Sequence, residues 1–178
     1  MNDTYKRSRK FLLIFFVLGL SVPASSDDDR DTSRLSIGVG YGALFGGLGF
    51  NIAQVDENNY RYLSLGVISA YRSDYDGQKD SDIAYGVGIG LIRTDIILPD
   101  SGNHGLGLYA GAVGADTRWE DAPRRKESLV TRYGGGATYH YFAAGPKSQG
   151  LVVGISLLFS PASDENESNV LATLGYRF

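Results

Sequence analysis

The chain contains no cysteine. No disulfide supports its fold, and no lipid-modified cysteine can anchor it. Helix signals are also missing: no apolar stripe recurs at three and four residues, and 24 glycines interrupt nearly every segment. A basic surplus is absent too. The formal net charge is −3 over 178 residues, which argues against a general nucleic-acid binder, whose phosphate contacts need a basic surface. A chain of this length is enough for one domain with a sizeable core. Without disulfides it must be stabilised by burial alone, or in a solvent other than water.

The N-terminus has the layout of a secretory signal peptide. Lys6, Arg7, Arg9 and Lys10 precede the uncharged run FLLIFFVLGL (residues 11–20), and SVPASS follows, with Val22 and Ala24 small enough for signal peptidase. The apolar run is half the ~20 residues that a bilayer-spanning helix needs. Residues 1–24 are therefore expected to be removed. The loss of four basic residues and one acidic residue would leave 13 Lys plus Arg against 19 Asp plus Glu, a formal charge of −6. A short acidic segment, 25–33, would then lead into a single domain, 34–178.

That domain alternates with period two, the signature of strands. Eight are expected: 34–42, 45–54, 60–71, 82–94, 104–116, 129–142, 149–160 and 169–178. One parity is bulky, as in Leu35, Ile37, Val39 and Tyr41, in Ile83, Tyr85, Val87, Ile89 and Leu91, or in Leu151, Val153, Ile155, Leu157 and Phe159. The other decides the class. In a soluble barrel or sandwich it would carry charge and face water. Here it reads Ser36, Gly38, Gly40; Ser64, Gly66; Ala84, Gly86, Gly88, Gly90; Gly134, Gly136, Thr138; Gly154, Ser156; Thr173, Gly175. A face of Gly and Ser suits the inside of a narrow closed barrel. The bulky face then points outward, into lipid, and the sheet must close because hydrocarbon pairs no backbone groups. The expected fold is all-β: an eight-stranded antiparallel up-and-down transmembrane barrel.

Connection lengths fit that topology. With the N-terminus in the periplasm, the turns after even strands are short: VDENN (55–59), ILPDSGN (97–103) and AAGPKS (143–148). Those after odd strands are longer: 72–81, 118–128 and 160–168. The first, around Gly42 to Phe45, is short and breaks the trend. Aromatic residues are expected as two girdles, Tyr41, Tyr71, Tyr85, Trp119 and Tyr133 at the outer rim and Tyr60, Tyr62, Tyr139, Tyr141, Tyr176 and Phe178 at the inner one.

The chain finishes on LATLGYRF (171–178). The alternation of Leu174, Tyr176 and Phe178 resembles the C-terminal assembly signal of bacterial outer-membrane proteins. With the signal peptide and the eight strands, residues 34–178 resemble small outer-membrane barrels of the OmpA/OmpX type. The resemblance implies an outer-membrane location, with lipid and lipopolysaccharide as surroundings and with periplasmic chaperones and the barrel-insertion machinery as assembly partners. It rests on architecture and the end motif.

Candidate chemistry is sparse. GLGLYA (105–110) has the glycine spacing of a dinucleotide turn but neither the helix nor the parallel sheet that turn requires. His104 and His140 are the only histidines. Some barrels of this class modify lipid A with a His-x-Ser pair, whereas Tyr141 and Phe142 follow His140. No catalytic residue and no cofactor are expected. Asp74, Asp76, Asp80 and Asp82 crowd one loop and could hold a divalent cation, although the Glu that completes a calcium loop is missing. Arg124, Arg125 and Lys126 could meet lipopolysaccharide phosphates. Arg132 has inward parity near the rim and needs a partner, for which Asp82 is one choice. A structural or surface-interaction role leads. A narrow conduit is the alternative, a lipid A-modifying enzyme trails both, and a soluble periplasmic barrel competes at the level of fold.

Overall fold

The computed structural model describes residues 33–75, 78–98, 101–120, 126–161 and 166–178. The strands are β1 (Arg34–Gly42), β2 (Gly47–Val55), β3 (Asn59–Tyr75), β4 (Gln78–Arg93), β5 (His104–Glu120), β6 (Lys126–Phe142), β7 (Gly150–Pro161) and β8 (Asn166–Arg177), with one 3-10 turn at Ala43–Phe45. Each strand pairs antiparallel with the next, and β8 pairs back with β1 from Gly38↔Arg177 to Tyr41↔Leu174. The sheet is a closed barrel of eight strands. Its turn end carries the connections after β2, β4 and β6; its ribbon end carries the other hairpins.

The wall follows the alternation of the sequence. Leu35, Ile37, Leu63, Leu65, Val87, Leu151, Ile155 and Leu157 are all exposed on the outside. Ser36, Ser64, Ala84, Thr138, Ser156 and Thr173 are buried inside.

Three expectations need correction. The segments read as long connections are largely strand: β3 runs to Tyr75 before β4 starts at Gln78, β5 to Glu120 before β6 starts at Lys126, and β7 to Pro161 before β8 starts at Asn166. Single-residue bulges explain why alternation failed to reveal two of these extensions. The register slips between Val67 and Ser69 on β3 and between Ala112 and Gly114 on β5, so the side-chain parity reverses above each slip.

Second, Phe45 does not start a strand. It belongs to the 3-10 turn, which folds into the lumen with Ala43, Leu44 and Phe45 all buried. Gly42, Gly46 and Gly47 take φ of 118°, 69° and 100°, which lets the chain turn inward and back within so few residues.

Third, Tyr60 and Tyr62 do not mark a rim. They share the parity of Ser64 and point into the barrel, 0% and 5% exposed. Tyr41, Tyr85, Tyr133, Tyr176 and Phe178 do face outward, while Tyr139 and Tyr141 are half-buried.

The inward glycines are seats for aromatic rings. A Cβ at Gly88 would overlap the Tyr109 ring, one at Gly90 the Tyr62 ring, and one at Gly175 the Phe45 ring. Ile92, Phe142, Val152 and Leu158 complete a packed interior.

Candidate functional site

The lumen holds one continuous column of side chains. At its ribbon end Asn51, fully buried, donates from Nδ2 to the Leu44 carbonyl at 3.0 Å and so pins the 3-10 turn. Tyr60 donates from its hydroxyl to Asn51 Oδ1 at 3.4 Å. The guanidinium carbon of Arg177 lies 5.1 Å from the Tyr60 ring centroid and 5.2 Å from that of Phe142, within cation–π range. Arg177 then donates from Nε and Nη2 to Ser36 Oγ at 3.3 Å, from Nη1 to the Gly145 carbonyl at 3.3 Å, and from Nη2 to the Pro146 carbonyl. The 3-10 turn, the column and the β6–β7 connection are thus linked from one mouth to the other.

A second set of polar groups lines the inner wall of β6, β7 and β8. Thr138 faces Ser156 in register, and His140 and Thr173 flank Gly154. All four polar residues are buried, and among the described residues none of Thr138 Oγ1, Ser156 Oγ, Thr173 Oγ1 or the two His140 ring nitrogens has a hydrogen-bond partner in the protein. Such groups are ordinarily satisfied by internal water. His104, at the start of β5, differs: its Nδ1 is 2.7 Å from the Tyr139 hydroxyl.

At the ribbon end the charges tie strands together. Arg132 on β6 forms ion pairs with Asp116 on β5, at 3.2 Å, and with Glu167 on β8. Asp82 accepts from the backbone N–H of Ile83 at 2.9 Å and of Leu129 at 2.7 Å. Thr131 adds a bond from its hydroxyl to the Tyr85 carbonyl at 3.0 Å. These last contacts join β4 to β6 above Gly88↔Gly111, where the pairing of β4 with β5 stops. At the turn end Arg61 pairs with Asp56 at 3.4 Å and Arg93 pairs with Asp95. The Arg93 guanidinium holds the Asp95 carboxyl below the ordinary carboxylate range.

Of the residues singled out from sequence, Arg124, Arg125 and Asp76 lie outside the described residues, as do the side chains of Asp74, Asp80, Lys126 and Trp119. Asp82 and Arg132 both stand at the ribbon end, with the partners just given. Leu174, Tyr176 and Phe178 share the outer face; the Tyr176 and Phe178 rings meet edge-on at 5.2 Å, and the Phe178 N–H donates to Ile37 O at 2.8 Å. Sequence reading missed Phe45, Asn51 and Phe142 as lumen residues. Comparison with known proteins finds no matching family model, no matching curated protein and no matching solved structure.

Proposed function

We propose that this chain is an integral outer-membrane β-barrel of a bacterium, with a structural or surface-interaction role, exported through the signal peptide at residues 1–24. One observation carries the reading: the barrel presents its large apolar side chains outward. Leu35, Leu65, Val87, Ile155, Leu157 and Phe159 are each more than 40% exposed on a closed sheet. In water so extensive an apolar surface would drive aggregation; in hydrocarbon it is the favourable arrangement, and closure pairs the backbone groups of the wall. Along β7 the outward run from Leu151 to Phe159, at ~3.3 Å per residue and a tilt of ~40°, climbs about 20 Å along the barrel axis. Apolar bands of such barrels are ~25 Å tall. Outward Tyr85 and Tyr133 near the ribbon end, and Tyr176 and Phe178 at the turn end, suit the two headgroup boundaries.

The filled lumen weighs against a conduit. Phe45, Tyr60, Ile92 and Phe142 are buried across it. A non-catalytic role is preferred to lipid A chemistry because His104 is engaged with Tyr139 and His140 is sealed inside. On this reading the ribbons of β3–β4, β5–β6 and β7–β8 are the surface offered to partners, including lipopolysaccharide at Arg124, Arg125 and Lys126 and a divalent cation at Asp74, Asp76, Asp80 and Asp82. Chaperones and the insertion machinery would read Leu174, Tyr176 and Phe178 during assembly.

The test is fractionation followed by gel migration with and without boiling. The membrane reading expects the protein in the outer-membrane fraction, with folded and boiled forms at different positions. Recovery in the soluble periplasmic fraction would overturn it.

A further inference from the structure

We propose that the turn end of the barrel carries a binding site for a phosphate-bearing anion, built from Arg34, Lys147 and Arg177. A cavity of about 220 Å³ opens there between the start of β1, the β6–β7 connection and the end of β8, and all three cations line it. Arg177 is 2% exposed. Its hydrogen bonds go to the Ser36 hydroxyl and to the carbonyls of Gly145 and Pro146, all neutral acceptors. The rings of Tyr60 and Phe142 offset part of its charge but do not neutralise it.

Among the described residues the ion pairs are Arg61–Asp56, Arg93–Asp95, Arg132–Asp116 and Arg132–Glu167. None includes Arg34, Lys147 or Arg177, and Asp56 and Asp95 at this end are already held by their own arginines. A buried guanidinium without a counter-charge is disfavoured. Here it faces a cavity that Arg34 and Lys147 also line.

Two guanidinium groups and one ammonium suit a tetrahedral oxyanion, which accepts several charge-assisted hydrogen bonds at once. The same chemistry has two sources. Leu35 and Phe178 line the cavity and are 73% and 59% exposed on the outer face, so a lipid phosphate seated there could lay its acyl chains along the wall. A soluble phosphate ester would enter from the turn end instead. The lipid source rests on the membrane reading above; the anion site does not.

The test uses the full chain, refolded in a non-ionic detergent, beside the double variant Arg34→Gln/Lys147→Gln. Both of these side chains are exposed, so the variant leaves the packed interior and Arg177 in place. Each protein is titrated with dioleoylphosphatidylglycerol and with inorganic phosphate, and bound species are counted by native mass spectrometry. The wild type is expected to retain one anion per barrel about ten-fold more tightly than the variant. Retention of the lipid alone assigns a headgroup; displacement of the lipid by inorganic phosphate shows that the phosphate group suffices. Equal binding of both anions to wild type and variant would overturn the site. A chain that stays folded and soluble without detergent would instead overturn the membrane reading, and the phosphate titration in buffer would still decide the site.

Discussion

Arg177, next to last in the chain, stacks its guanidinium 5.1 Å from the ring centroid of Tyr60 inside the barrel, joining the strand that closes the sheet to the third strand across the lumen. Tyr60 in turn holds Asn51, and Asn51 holds the inward 3-10 turn. Tyr60→Leu removes one desolvated cation–π contact, worth about 2 kcal/mol, and one hydrogen bond, worth about 1 kcal/mol. Unfolding in urea from vesicles is expected to show a loss of about 2–4 kcal/mol. Tyr60→Phe keeps the ring and should lose only the hydrogen-bond share.

Gly90 sits beneath the Tyr62 ring, and the three nearest neighbours of an added Cβ are all atoms of that one side chain. Gly90→Ala is expected to destabilise the barrel by about 1–3 kcal/mol through overpacking. Paired with Tyr62→Ala, the same substitution should cost far less. A double-mutant cycle with no coupling would refute the seat-and-ring account of the inner face.

Val87 lies midway along the outward run of β4, between Tyr85 and Ile89. In a bilayer Val87→Arg should cost about 2–4 kcal/mol, the penalty for a cation near the midplane. The matching change at Leu35, at the end of its strand, should cost about 0–1 kcal/mol. Equal and small effects at both sites would point to an outer face in water.

Arg132 is 17% exposed in its side chain, whereas Asp116 and Glu167 are 57% and 51% exposed. Pairs this open contribute about 0–1 kcal/mol each and weaken with salt. Double-mutant cycles of Arg132 with Asp116 and with Glu167 are therefore expected to give small, salt-sensitive couplings. Hydrogen exchange in the β5–β6 ribbon should accelerate in Arg132→Gln.

In a planar bilayer the wild-type barrel is expected to be electrically silent, because rings fill its bore. Discrete conductance steps from the purified protein would revive the conduit.

The outer half of this fold was legible because it obeys a local rule. Leu151, Val153, Ile155, Leu157 and Phe159 alternate without interruption, and all five face outward. The inner half obeys a rule that needs three dimensions. Gly88 and Gly90 look like empty positions along the strand, yet each is filled by a ring from a neighbouring strand. Asn51 lies between Phe50 and Ile52 with nothing nearby in sequence to suggest the Leu44 carbonyl as its partner. Phe45 did leave a trace: in GALFGG an apolar triplet sits at a hairpin tip, where solvent-facing turns carry polar residues. Arg177 is a charge within a strand, but its surroundings come from β1, β3 and the β6–β7 connection. The slips at Ile68 and Val113 hid the ribbons, since one extra residue reverses every parity beyond it.

The inward turn also bears on the order of assembly. Phe45 is delivered by the first hairpin, yet its ring is enclosed by Gly38 and Gly40 on the first strand and Gly175 on the last. A turn that folds inward before β8 pairs with β1 gives the closing strand a ring to pack against as the seam forms. In that order the first hairpin would serve as the mandrel on which the cylinder is closed.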